Sequence, residues 1–146
     1  MGRRHYKEAY DSIDSMIIRV SFFLIATSTL ALVHNIATSF FLYWKYPWFD
    51  IPMHFLGGVC VALGFSVLPF FRIRLSPRYQ TFLAYLAFVF LIGTFWEIFE
   101  LVYGISLTSD SADLLTDTAK DFFFDLIGGS VGYFISKHIS ESYEHN

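Results

Sequence analysis

Three short segments of this sequence carry carboxylate and imidazole groups at helical spacing. Residues three or four positions apart lie on one face of a helix, so each segment would present its polar groups to one side. Carboxylate oxygens and imidazole nitrogens are ligands that Mg, Mn, Fe or Zn ions take in proteins. A bound divalent ion could activate a water molecule or polarise a phosphoryl oxygen. The segments are Asp50 with His54, Glu97 with Glu100, and Asp117 with Asp121 and Asp125.

These groups lie in a chain whose composition is that of a membrane protein. Of its 146 residues, 55% are hydrophobic, 21% are aromatic and 16% are charged, whereas charged residues make up about 25% of a typical globular chain. The length predicts one domain over residues 1–146. The basic residues are too few and scattered for a nucleic-acid surface, and the single cysteine, Cys60, excludes a disulfide or a CxxC metal motif.

The apolar runs predict an all-α, polytopic membrane protein, a bundle of four transmembrane helices. A helix needs about 20 mostly apolar residues to cross a bilayer. The first three runs meet this length, and the fourth rests on a shorter apolar stretch that begins with acidic residues. The predicted helices cover residues 16–44, 51–71, 79–103 and 117–138.

Basic residues in short loops predict the orientation, because they accumulate on the cytoplasmic side. Seven of them fall at one side of the predicted bundle: Arg3, Arg4, Lys7, Arg72, Arg74, Arg78 and Lys137. Only Lys45 and Lys120 fall at the other, so both termini are expected in the cytoplasm. Trp44, Tyr46 and Trp48 would then form an aromatic belt at the outer interface.

With this topology, most of the acidic residues gather at the outer half of the membrane. Ionised carboxylates in a low-dielectric bundle repel one another and lose hydration. The site would therefore be protonated, be wet, or bind a cation. His34 is expected roughly 15 Å below the outer end of helix one, where it could reach the floor of the site. The acidic residues of this half are eight of thirteen: Asp50, Glu97, Glu100, Asp110, Asp113, Asp117, Asp121 and Asp125.

Several of these residues also have a purely structural interpretation. Asp110 and Asp113 suit a solvated loop, Asp117 the start of a helix, and Asp50 a helix cap. Either histidine could hydrogen-bond between helices. Small residues one turn beyond the acids predict close packing of helices two and four; they are Gly57, Gly58, Ala62, Gly128, Gly129 and Gly132.

Three ordered blocks resemble the YjdF-type inner-membrane proteins and, more distantly, VanZ-like membrane proteins. The blocks begin at Asp50 (DIPMHFLGG), Trp96 (WEIFE) and Asp117 (DTAKDFFFDLIG). The resemblance implies a multi-pass protein of the inner (cytoplasmic) cell membrane. It marks as the polar signature Asp50, His54, Glu97, Glu100, Asp117 and Asp121.

The leading hypothesis is a divalent-metal-dependent hydrolase or transferase that acts on a lipid or lipid-linked head group at the outer face of the bilayer. Asp50 and Asp125 would serve as catalytic base or outer-shell group. The alternatives are an ion- or proton-handling transporter, which at this size would need a homo-oligomeric pore, and a non-catalytic assembly or lipid-binding protein. The predicted metal ligands are His54, Glu97, Glu100, Asp117 and Asp121.

Overall fold

The computed structural model describes residues 2–71, 73, 80–103 and 111–144 and is helical throughout, with no strand among these residues. The all-α prediction is therefore confirmed. The side chains of the N-terminal basic residues, the loop basic residues and Asp110 lie outside the described part of the chain. The helices are α1 (Gly2–Ser39), α2 (Leu42–Lys45), α3 (Asp50–Val67), α4 (Phe82–Tyr103) and α5 (Ser111–Glu144), with 3-10 turns at Pro47–Phe49 and Leu68–Phe71.

Three segments of the described chain are long and apolar enough to cross a membrane. They cover Ile13–Ser39, Pro47–Phe71 and Phe82–Tyr103, with mean hydropathies of 2.0, 1.9 and 2.0. A span needs about 20 mostly apolar residues, and each of these has at least that length. They overlap the first three predicted spans, with different ends. α5 covers the predicted fourth helix, but it is not among the segments that qualify by length and composition.

The first predicted helix, 16–44, is divided in the structure. α1 ends at Ser39, and Phe41 adopts a left-handed backbone conformation with φ 58°. A right-handed helix cannot continue through such a residue, which costs roughly 1–2 kcal/mol when it carries a Cβ. α2 begins immediately afterwards, with the Lys45 amide donating to the Phe41 carbonyl at 3.0 Å. The chain therefore turns before Trp44 instead of ending helix one there.

α3 and α5 run parallel to each other and form the centre of the bundle. A Cβ on Gly58 would overlap the backbone carbonyl oxygen of Asp125, and a Cβ on Gly128 would overlap that of Phe55. The two backbones therefore touch, as the small residues predict. Such close approach is what stabilises helix pairs in lipid, where van der Waals packing replaces the hydrophobic effect.

α1 and α4 each run antiparallel to α3 and pack on the central pair. From α1, the Phe23 ring lies over Gly64, 3.1 Å from where its Cβ would be. From α4, Val89 covers Gly129, while Tyr85 stacks edge-on against Phe65 with ring centroids 4.8 Å apart. At one end of the resulting bundle, α3 and α5 begin and α4 ends. We call this the acidic end.

Candidate metal centre

The parallel register of α3 and α5 brings the acidic residues of α5 against His54. Because Gly58 meets the Asp125 carbonyl, Asp121 lies one turn nearer to the acidic end, opposite His54. His54 Nε2 is 3.6 Å from Asp50 Oδ2 and 3.8 Å from Asp121 Oδ1. The imidazole thus stands between carboxylates of two helices.

Three of these side chains form a group that can hold a metal ion. Asp50, His54 and Asp121 each offer one ligand atom, and the three atoms lie within 4.8 Å of one another. Ligands about 2.1 Å from a tetrahedral ion lie about 3.4 Å apart, and His54 Nε2 is already 3.6 and 3.8 Å from the two carboxylate oxygens. The side chains would therefore need to close only slightly to bind an ion.

The group is buried at its base and open at Asp50. The side chains of His54 and Asp121 are 5% and 6% exposed, and that of Asp50 is 25% exposed. Placing two carboxylates in such an environment is unfavourable without compensating charge. One imidazolium could offset only part of that charge, whereas a divalent cation would offset both carboxylates.

Asp125 lies beneath His54, on the side of the ring away from Asp50. Its Oδ1 is 3.4 Å from His54 Nδ1. The carboxyl group fits between two glycines: a Cβ on Gly57 would lie 3.8 Å from Oδ1, and one on Gly93 would lie 2.7 Å from Oδ2. A carboxylate at Nδ1 fixes the ring orientation and keeps Nε2 available as a ligand. This geometry suits Asp125 for positioning His54.

Glu97 reaches the same layer from α4. Since α4 runs antiparallel to α5 and its Gly93 faces Asp125, Glu97 lies one turn further on, near Asp121. Its Oε2 accepts a 2.7 Å hydrogen bond from Thr118 Oγ1. Its Oε1 is buried and has no hydrogen-bond partner within the described residues. A buried carboxylate oxygen of this kind is unfavourable unless something binds it.

Three predicted ligands stay outside the three-residue group: Glu97, described above, and also Glu100 and Asp117. Glu100 accepts a 2.9 Å hydrogen bond from the Trp96 indole, four residues earlier in its own helix. Asp117 pairs with Lys120 at 2.8 Å on an accessible part of α5. Both carboxylates are engaged by local partners, and neither is brought to His54 within ion-pair distance.

Tyr43, Thr118 and His34 complete the surroundings of the site. The first two were missed by the sequence analysis. Thr118 shares a helix face with Asp121, and this spacing was the signal that could have identified it. α1 ends at Ser39, so His34 lies about 8 Å below the end of that helix. The expected depth was roughly 15 Å, because the predicted helix continued to residue 44. His34 Nδ1 hydrogen-bonds the Tyr43 hydroxyl at 2.9 Å.

The carboxylates of the acidic end affect the Tyr43 hydroxyl electrostatically. Partial burial raises the pKa of its hydroxyl to about 12, and the negative charges of Asp50 and Glu100 add to the increase. The phenol therefore stays protonated at neutral pH. Its ring packs edge-on against Phe49, with centroids 5.6 Å apart. Only the turn at Phe41 brings this residue back to α1, which is why spacing along the chain could not reveal it.

Comparison with known proteins gives a family but no characterised relative. The family model described as "Predicted membrane protein (DUF2238)" matches residues 16–140. No curated protein and no solved structure matches the chain.

Proposed function

The chain belongs to the DUF2238 family of predicted membrane proteins, and we propose that it binds a divalent cation through Asp50, His54 and Asp121. The observation that carries this proposal is the convergence of three ligand atoms, from two helices, within 4.8 Å of one another. Two carboxylates and an imidazole suit Mg, Mn, Fe or Zn better than a soft metal.

Two further features support a bound cation. The buried carboxylates near His54 include Asp121 and Asp125, which are 4% and 7% exposed. Within the described residues, the ion-pair contacts of both are with His54. Glu97, itself 9% exposed, contributes a buried oxygen without a hydrogen-bond partner in the same layer. A cation or its bound water would satisfy both the charge and this oxygen.

We further propose that the cation serves a hydrolase or transferase acting on a lipid or lipid-linked head group. Three protein ligands leave positions on the ion for water and substrate, as catalytic metal sites require. Asp50, the most exposed of the three ligands, would face the entering group. Asp125 would hold His54 through Nδ1, so its effect on chemistry would be indirect.

The direct test is Mn²⁺ titration of the purified protein in detergent, followed by electron paramagnetic resonance. We expect saturable binding of one Mn²⁺ per chain, displaced by Zn²⁺. Asp117→Asn is the matched control, because Asp117 pairs with the exposed Lys120; it should bind Mn²⁺ as the wild type does. Binding that does not saturate, or that exceeds one ion per chain without displacement, would rule out the site.

The same arrangement supports a finer topology and family assignment. We propose that α5 is a fourth span over residues 117–138, since it packs in parallel along α3, which is itself long and apolar enough to cross. Both termini would then be cytoplasmic and the acidic end would face outward, in the inner (cytoplasmic) cell membrane. The blocks at Asp50, Trp96 and Asp117 support a YjdF-type assignment and a more distant link to VanZ-like proteins.

Single cysteines test this topology. In a Cys60→Ser background, Lys45→Cys should react with a membrane-impermeant maleimide in intact cells. Glu141→Cys, which also replaces an exposed residue, should react only after permeabilisation, because α5 would carry it to the other side. Equal labelling of the two positions in intact cells would mean that α5 does not cross.

A further inference from the structure

The segment that leads from α1 into α3, residues 41–49, has the chemistry of a lipid interface. We call it the aromatic turn. Trp44, Tyr46 and Trp48 are 60%, 48% and 61% exposed. Tryptophan and tyrosine side chains settle at the head-group level of bilayers, where one part of the ring is apolar and another can hydrogen-bond. The turn leads directly into Asp50, so the mouth of the metal centre lies at the same level.

Tyr43 differs from the three exposed rings of the aromatic turn, because it is half-buried. Its hydroxyl lies 2.9 Å from His34 Nδ1. When the imidazole proton is on Nδ1, His34 donates to the phenol oxygen, and the phenol proton is free for another acceptor. The Tyr43 ring packs edge-on against Phe49, with centroids 5.6 Å apart, and Phe49 directly precedes Asp50, so Tyr43 lies beside the acidic end.

We propose that the phosphate group of a bilayer lipid completes the coordination of the cation at Asp50, His54 and Asp121, with the Tyr43 hydroxyl donating a hydrogen bond to it. This inference rests on the metal site proposed above. It also uses the buried Oε1 of Glu97, which has no hydrogen-bond partner among the described residues and which a ligand in this layer would satisfy. Phosphate oxygens are preferred partners of Mg²⁺-like ions that keep open positions.

Charge makes this binding dependent on the cation. The charged groups near the helix ends on this side are mostly acidic: Asp50, Glu100 and Asp117, the last paired with Lys120. Without a cation these carboxylates would repel a phosphate. With one bound, the phosphate would meet a positive centre and a neutral hydroxyl donor. The exposed aromatic rings favour a lipid as the source of the phosphate over a soluble anion, since they would hold the mouth in the head-group layer.

The experiment uses Mn²⁺ as the probe and ³¹P electron–nuclear double resonance as the readout. Delipidated full-length protein in a phosphorus-free maltoside detergent is loaded with less than one Mn²⁺ per chain. One arm receives phosphatidylglycerol and the other an equal concentration of inorganic phosphate. We expect ³¹P coupling to protein-bound Mn²⁺ in the lipid arm, and little in the phosphate arm. Asp121→Asn, treated identically, gives the background from Mn²⁺ bound to lipid alone.

Tyr43→Phe tests the recognition step. A hydrogen bond to a charged group is lost, so the lipid concentration for half-maximal coupling should rise about tenfold. Mn²⁺ affinity in lipid-free detergent should not change. Tyr46→Phe, which alters an exposed hydroxyl in the same turn, should leave both quantities unchanged.

The outcomes separate this inference from the proposed function. Bound Mn²⁺ without ³¹P coupling above background would overturn the lipid-phosphate ligand and leave the metal site standing. Equal coupling in the two arms would overturn the lipid source. Absence of Mn²⁺ binding to the wild type would overturn both.

Discussion

Asp121→Asn is expected to weaken divalent-cation binding by more than about 100-fold, with the helices still folded. Asparagine keeps the shape of the side chain but removes its charge, so one of three ligands becomes a weak neutral donor. Losing a partner outside the coordination sphere already costs about 10–100-fold in metal affinity, and loss of a ligand should exceed that range. Asp121 is 4% exposed, and solvent therefore cannot easily take its place. Mn²⁺ titration measures the change.

A graded series of asparagine variants identifies the cause of this loss. Asp125→Asn should fall in the range of about 10–100-fold, because Asp125 acts on the ion only through His54 Nδ1. Asp117→Asn should have no effect. Equal losses for Asp121→Asn and Asp125→Asn would contradict the assignment of one as a ligand and the other as a positioning residue.

Thermal stability supplies a second readout that a purely structural role would not reproduce. Without cation, Asp121→Asn should be at least as stable as the wild type, because it removes repulsion between buried carboxylates. With saturating Mn²⁺ the order should reverse, since only the wild type gains binding free energy in the folded state. A variant that is less stable under both conditions would indicate that Asp121 only packs the helices.

Gly58→Ala is expected to lower the free energy of unfolding by about 3 kcal/mol, the upper end of the usual range for overpacking. The new Cβ would overlap the Asp125 carbonyl oxygen and lie 2.8 Å from its carbon and 2.9 Å from the Gly129 nitrogen. All of these atoms are backbone and cannot rotate away. α3 and α5 would have to separate, which should also weaken cation binding, because the three proposed ligands come from this pair.

Gly57→Ala is the matched control, one residue away on the same helix. Its Cβ would meet only the Asp125 Oδ1 atom, at an ordinary contact distance of 3.8 Å. We expect its midpoint in detergent-denaturant titration to lie close to that of the wild type. If the two alanine variants unfold alike, the backbone contact between α3 and α5 does not hold the bundle together.

Membrane character and the positions of three spans were predictable from sequence, because they depend on composition and on run length. The same holds for the pairing of Asp50 with His54, since residues four apart share a helix face whatever surrounds them. The glycines near Asp125 also predicted close packing of α3 on α5. These features are local, or follow from the small size of a residue.

The choice among the acidic residues was decided by the tertiary structure. Spacing treats Asp117, Asp121 and Asp125 alike, yet the register set by Gly58 and Gly128 places Asp121 at His54 Nε2 and Asp125 at Nδ1. Asp117 is left with Lys120. A shift by one helical turn would bring a neighbouring aspartate to each nitrogen instead, and register depends on contacts between residues about seventy positions apart.

The aromatic turn is a second feature whose contacts were decided by the tertiary structure. The composition of residues 41–49 predicted an interfacial belt, but not that Phe41 would adopt a left-handed conformation and bring Tyr43 to His34. A non-glycine residue takes that conformation only where surrounding contacts offset its cost. Sequence therefore determined the residue types available to the acidic end and the helices that hold them. Long-range packing decided which side chains meet there, because helix register and chain reversal depend on the whole bundle.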